Sequence, residues 1–258
     1  MDRLPLFPDT TRIENDSLRI AGHDLTALAD LYGTPIYIYD RATLDNSVTA
    51  YQSTLKNYYP APSRLTYAGK AFLCKAIAEW TQAHRLLVDC TGEGEIGIAV
   101  AGSVPREHLL VHGVNKSMAD LKSAMQIAAT LVVDNLTELD RIANLFSNSR
   151  SAASRFPSLW LRLLPEFAVQ THHPHTETGG HDSKFGMARA EIIEAAGICK
   201  EKKLPLQGLH FHQDSNFRDL SPLIPAIELG LSLDPELEFS DEWLFCPGAG
   251  FRCARDVK

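Results

Sequence analysis

Lys70 stands between Gly69 and Ala71 in SRLTYAGKAFLCKAI, where a short apolar run gives way to a helix-like stretch. Side chains alternate along a strand, so Thr66, Ala68 and Lys70 share one side and Leu65, Tyr67 and Gly69 the other. The small residues below Lys70 leave room for an enclosed amine. Enclosure would favour its neutral form, and a neutral amine can form a Schiff base with a carbonyl compound. The plain alternative is a surface lysine at a strand–helix junction. Lys75 falls inside the helix and reads as a surface residue.

Three further stretches carry polar groups at the ends of apolar runs. In LHFHQDSNF, His210 and His212 are two apart and face the same way on a strand, with Leu209 and Phe211 facing the other. Two such imidazoles could hold a metal, one could stack on a flat cofactor, or one could be a core histidine. Ser215 follows His212 in the loop, where a hydroxyl can reach a phosphate. In CPGAGF, Gly248, Ala249 and Gly250 form a turn whose backbone N–H groups can cradle an anion; read blandly, it is a tight turn. GEGEIG (92–97) has the form of a dinucleotide loop, but the next strand ends in His112 where such a site wants an acid, and Glu93 and Glu95 would repel a pyrophosphate. The loop THHPHTETGGHD gathers His172, His173, His175 and His181, yet histidines in a polar loop are poor evidence for a metal, and no metal is expected.

The elements that must position these groups alternate regularly. Strands are expected in RLTYAGK, RLLVDC, HLLVHG, TLVVD, SLWLRLLP, LQGLHFH and EWLFCPG, each but the last followed by a helical stretch. A further strand is expected in TPIYIYD (34–40) and a helix over 42–58. This order argues for parallel βαβ units with helices outside. Seven strands at this spacing suit a (β/α)₈ barrel lacking its last unit, with a doubly wound sheet as the rival. In a barrel, active groups gather at the C-terminal ends of strands. Those ends carry Lys70, Asp89, His112, Asp134, Arg162, His212 and the Gly248–Gly250 turn.

Composition sets the outer limits. The 258 residues are 45% apolar and 22% charged with a net charge of −7, an ordinary globular balance without the basic footprint of a nucleic-acid binder. No apolar run is long enough to span a membrane. The N-terminus lacks the order of a signal peptide, so the cytoplasm is the expected compartment. Five cysteines without a C-x-x-C pair give no disulfide framework or structural zinc pattern.

Taken together and in order, YGTPIYIYD, YAGKA, VDCTGEGEI, HGVNKS, VVDNLTELDRI, LRL, HTETGGHDSKFG, GLHFHQDS and GAGF resemble the fold-type III pyridoxal-phosphate decarboxylases. This is the ornithine/diaminopimelate/arginine decarboxylase family, and the likeness is greatest to its diaminopimelate branch. The resemblance runs from about residue 30 to 251 and implies an alanine-racemase-type α/β barrel that binds pyridoxal 5'-phosphate. It matches Lys70 to the lysine that bonds the cofactor and later handles protons, and His212 to the histidine stacked on its ring. Ser215 and Gly248, Ala249 and Gly250 match the phosphate-binding positions. Asp89 and Glu95 match acidic groups beside the lysine and cofactor, and Arg162 an arginine near the ring. The implied activity is decarboxylation of a diaminopimelate-like amino acid, of the lysine-biosynthesis type.

The chain departs from the family pattern at Phe72, Asp214, Cys246 and Ala249. The family continues with an eighth strand and a β-domain that complete the site across a dimer. The resemblance therefore divides this chain into residues 1–40, which would pack with that β-domain, and an incomplete barrel over 41–258. It implies a fragment or split protein, poorly active and aggregation-prone alone, with a homodimer or a complementing C-terminal chain as partner. A non-catalytic barrel that binds the cofactor weakly or not at all is the alternative.

Overall fold

The computed structural model describes residues 4–148, 156–166, 183–213, 220–221, 223–239 and 242–248. The chain divides into two compact units, one running to Leu65 and the other starting at Thr66.

The first unit holds a three-stranded antiparallel sheet, β1 (Arg12–Glu14), β2 (Ser17–Ile20) and β3 (His23–Asp24), followed by helices α1 (Leu25–Tyr32) and α2 (Arg41–Tyr58). Both hairpins close with two residues at positive φ, Asn15–Asp16 and Ala21–Gly22. That is the geometry whose twist matches the flanking strands. Asp24 caps α1, accepting from the N–H groups of Thr26 and Ala27 at 2.9 and 3.3 Å. Asp40, just before α2, accepts from the hydroxyls of Thr10 and Thr43 at 2.9 and 2.5 Å. The strand expected over residues 34–40 does not form. No neighbour pairs with this backbone among the described residues, and Tyr37 is 91% exposed, so the alternating aromatics bury no face. The small sheet over 12–24 was not expected, because its strands are too short to show a period. By compactness α2 goes with the first unit, whereas the expected boundary after Asp40 rests on a packing partner outside this chain.

The second unit is a seven-stranded sheet in sequential order. Its strands are β4 (Thr66–Ala68), β5 (Leu87–Cys90), β6 (Leu109–Val111), β7 (Thr130–Val133), β8 (Ser158–Arg162), β9 (Leu206–His210) and β10 (Leu244–Cys246), and all neighbours pair parallel. Between them run α3 (Lys75–Ala83), α4 (Glu93–Ala101), α5 (Met118–Ile127), α6 (Leu136–Asn148), α7 (Arg189–Lys202), α8 (Leu223–Ser232) and α9 (Asp234–Leu237). The seven expected strands are these seven. The helix expected from Ala71 begins only at Lys75, because the chain first makes a 3-10 turn over Gly69–Ala71.

The strand period sorts the side chains onto two faces. Val88, Cys90, Leu109, Val111, Leu131, Val133, Leu159, Leu161, Leu209 and Phe211 join helix residues such as Ile96, Leu121, Leu139 and Ile192 in one large core. The opposite parity places Leu110, Val132 and Trp160 in a separate cluster against Cys246, inside the curl of the sheet. Gly208 makes room there, since a Cβ would lie 2.5 Å from the Leu244 carbonyl oxygen and 3.0 Å from Trp160 Cδ1. One step further along the inward parity come Asp89, His112, Asp134, Arg162 and His210. The rings of His112 and His210 lie 4.3 Å apart, although β7 and β8 separate the strands that lead to them. A flat sheet would hold such positions about 14 Å apart. The sheet is therefore curled, with its inward side chains converging as in an α/β barrel.

Candidate functional site

Lys70 lies in the 3-10 turn that ends β4 and is exposed, as a surface lysine at a strand–helix junction would be, because the chain turns away directly after Ala68. The turn is held by close approach. A Cβ on Gly69 would lie 2.9 Å from both the Asp89 carbonyl oxygen and Glu95 Oε2, so only glycine brings this backbone so near. The Tyr67 hydroxyl donates to the Phe72 carbonyl at 2.6 Å, spanning the turn. Glu95, in the first turn of α4, accepts from the Thr91 N–H at 2.8 Å, which sets its carboxylate under Lys70's backbone.

Asp89 lies one residue before the end of β5 with 17% of its side chain exposed, and its Oδ2 lies 3.5 Å from His112 Nδ1. Burial pushes its carboxyl up to about 7, against the pull of Lys70, Lys116 and Arg162. His112 and His210 are held well below the usual imidazole range, chiefly by burial, then by neighbouring charge and rings. His212 is brought down to about 4 by burial and by the charges of Lys70 and Arg162. All three rings are thus neutral near pH 7.

Arg162 ends β8 and donates to Asp134 Oδ1 at 2.8 Å, with the pair almost wholly buried. Its guanidinium lies over the Phe185 ring at 4.7 Å, and Lys184 approaches the same ring at 5.1 Å. Such cation–aromatic contacts orient the guanidinium. Behind this pair sits a second one. Lys116 is 2% exposed, lies 2.8 Å from Glu138 Oε1, and donates to the carbonyls of Gly113 and Val132 at 2.6 and 2.9 Å. Glu138 also accepts from the Asp134 N–H at 3.2 Å, joining the two pairs into one network. Sequence reasoning gave Lys116 and Glu138 no role. The signal available was a lysine a few residues beyond an apolar strand, in HGVNKS.

Gly248 follows β10 at φ +69°, where a Cβ would lie 2.4 Å from the Phe211 carbonyl oxygen and 3.1 Å from His212 Nδ1. The turn and the His212 ring are therefore in immediate contact. Cys246 beside it has its thiol pushed up to about 11 by burial, so it remains neutral. Ser215, Ala249, Gly250 and Asp214 lie outside the described residues, as do His172, His173, His175 and His181. Among the described residues no group of three or more His, Cys, Asp or Glu side chains is arranged to hold a metal ion.

The site thus has one exposed primary amine, a carboxyl that ionises near neutrality, neutral imidazoles, a buried guanidinium and a glycine turn. All lie at the C-terminal ends of one curled parallel sheet. Convergence of strand ends on one mouth is the arrangement of an α/β barrel with its site at the C-terminal end of the sheet. Residues 44–234 match the family described as the pyridoxal-binding domain of pyridoxal-dependent decarboxylases, and the chain belongs to that family. It is 32% identical over 227 residues to the diaminopimelate decarboxylase of a Synechocystis strain, covering 84% of this chain and 47% of that one. It is also 32% identical over 245 residues to that of Mycobacterium tuberculosis, covering 91% and 52%. Among solved structures, Helicobacter pylori diaminopimelate decarboxylase in complex with L-lysine matches at a TM-score of 0.76 and 24% identity, over 89% of this chain and 57% of that one. Diaminopimelate decarboxylase from m. jannaschi matches at a TM-score of 0.77 and 23% identity, over 88% of this chain and 54% of that one. The chain spans about half the length of the curated relatives it matches.

The family's cofactor is pyridoxal 5'-phosphate, and the residues present fit it. The Lys70 amine is accessible to an aldehyde, the His212 ring offers a neutral aromatic face, and the left-handed Gly248 turn leaves a side-chain-free approach beside that ring.

Proposed function

We propose that the chain carries the lysine-bearing half of a cytoplasmic pyridoxal-phosphate-dependent decarboxylase acting on a diaminopimelate-like amino acid. The single observation that carries this reading is the accessible Lys70 amine at the end of β4, facing a mouth shared with Asp89, Arg162, His212 and Gly248. When bound, the cofactor supplies an electron sink for the pair left on the substrate's Cα as CO₂ departs.

The chain's own residues do the rest. Lys70 Nζ would hold the cofactor's aldehyde carbon, and the same amine would carry a proton for the substrate's Cα. His212 would lie against the ring without adding charge, since it is neutral near pH 7. Gly248, with Ala249, Gly250 and Ser215, would receive the phosphate. Asp89 and Glu95 would balance the cationic nitrogens around Lys70, and Arg162, locked by Asp134 and Phe185, would present fixed positive charge. The substrate reading rests on the diaminopimelate decarboxylases among the relatives, and a homodimer or a complementing C-terminal chain would complete the site.

The test is an absorbance spectrum of the native chain and of Lys70→Ala after adding pyridoxal phosphate, with borohydride trapping and peptide mapping. A lysine-dependent band trapped at Lys70 supports the reading. Amino acids would then be tried with a complementing C-terminal chain. A folded native chain without the band would overturn it in favour of a barrel that pairs with another subunit and does no chemistry.

A further inference from the structure

Inside the curl of the sheet, His112 and His210 form an imidazole pair that the reading above leaves without a task. Their rings are 4.3 Å apart at an interplanar angle of 65°, edge to face. His112 Nδ1 lies 3.5 Å from Asp89 Oδ2. Four buried polar atoms of this cluster have no hydrogen-bond partner among the described residues: Asp89 Oδ1, His112 Nε2, and both ring nitrogens of His210. His210 is 5% exposed. Buried polar atoms are rarely left unpaired, and where they are, a functional cause is the usual explanation. A leucine or phenylalanine at position 210 would fill the space without that cost.

Asp89 is the acidic member of the cluster, and it faces Lys70. From β4 it feels the Lys70 charge, and from across the mouth those of Lys116 and Arg162. The thiols of Cys90 and Cys246 adjoin it as neutral groups. The His pair in turn faces Lys70, Arg162 and His212, and Lys116 acts on His112. A neutral ring near Asp89 can give a directed N–H without adding charge.

We propose that His112 and His210 are positioning residues for Asp89, with His112 Nδ1–H donating to the Asp89 carboxylate and His210 fixing the orientation of the His112 ring, so that Asp89 ionises beside Lys70. This rests on the reading of Lys70 as the cofactor-bonding amine, because only then does the charge of Asp89 bear on chemistry. Removal of the His112 donor should raise the pH at which Asp89 loses its proton, so that less negative charge stands beside Lys70 near pH 7.

The experiment uses the ligand-free full chain. The Asp89 carboxyl is followed by ¹³C NMR against pH, assigned by its loss in Asp89→Asn. The variants are His112→Phe, His210→Phe and the more conservative His210→Gln. The expected result is an Asp89 midpoint raised by about one pH unit in His112→Phe, a smaller rise in His210→Phe, and partial rescue in His210→Gln. Folded variants that leave the Asp89 midpoint in place, or a midpoint that moves equally in both His210 variants, overturn the proposal, since packing alone explains those outcomes. If His112→Phe does not fold, the two His210 variants decide. Borohydride trapping of pyridoxal phosphate on the native chain is scored separately. A moved midpoint without label at Lys70 would keep the support of Asp89 and lose the cofactor reading.

Discussion

The imidazoles of His112 and His210 stack edge to face with centroids 4.3 Å apart, across an interior that two intervening strands would hold open in a flat sheet. That contact reports the curl of the sheet, and the curl brings residues from β4 to β10 to one mouth. Its electrostatic consequence is that three histidines are kept neutral in the folded state.

Stability should fall as the pH is lowered through the histidine range. The folded values of His112, His210 and His212 lie below the ordinary 6.5, that of His212 at about 4. Between these limits the unfolded chain binds protons that the folded chain does not, so acid favours unfolding. Each such group contributes a slope of about 1.4 kcal/mol per pH unit. Urea unfolding of the native chain and of His212→Asn from pH 7 to 4.5 should show a shallower slope in the variant. Parallel slopes would show that His212 is not depressed.

Asp89 should act with the opposite sign. Its folded value is raised from 3.8 to about 7, so its contribution is fully present below pH 3.8 and is lost as the pH rises through 7. Replacing it with asparagine removes this opposing slope. Asp89→Asn should therefore gain stability relative to native as the pH rises from 4 to 7, and the same urea titrations will check it. An unchanged difference across that range would place the Asp89 carboxyl in its ordinary range.

Lys116 and Glu138 form a buried pair whose single loss is costly. Lys116→Met leaves the Glu138 carboxylate in a site where burial already pushes its carboxyl up. A loss of about 3–5 kcal/mol is expected, read from urea midpoints at pH 7. Lys116→Met with Glu138→Leu should recover much of it, because the stranded charge is gone. Equal losses in the single and double variants would mean that the two side chains are not coupled.

Gly248→Ala should damage the turn beside His212. The new Cβ would press on the Phe211 carbonyl oxygen, which is backbone and has little freedom, at a positive φ that alanine disfavours. A stability loss of about 1–3 kcal/mol is expected. On the proposed function, the affinity for pyridoxal phosphate should also fall, measured by absorbance titration. Native affinity in a folded variant would remove this turn from the cofactor site.

The seven parallel strands were legible because each is a short apolar run closed by a polar or glycine residue and followed by a helical stretch. The two faces of each strand were legible for the same reason: period two assigns Leu209 and Phe211 outward and His210 inward without coordinates. Residues 34–40 misled, because alternating aromatics look like a half-buried strand, yet strand formation needs a partner that the described residues do not supply. Whether Lys70 is enclosed or exposed stayed open in the sequence, because the 3-10 turn after Ala68 depends on the close approach of Gly69 to Glu95, a contact distant in the chain.

What the sequence determined by itself was local: strand and helix order, the polar residue at each strand end, and the glycines at positions 69 and 248. These follow from side-chain period and backbone sterics, which act over a few residues. What only the tertiary structure decided was which strand ends meet. The curl set His112 against His210, buried Lys116 with Glu138 and Arg162 with Asp134, and moved the ionisation of Asp89 toward neutrality. Those outcomes depend on distances and desolvation among groups far apart in the chain, and both are properties of the packed sheet.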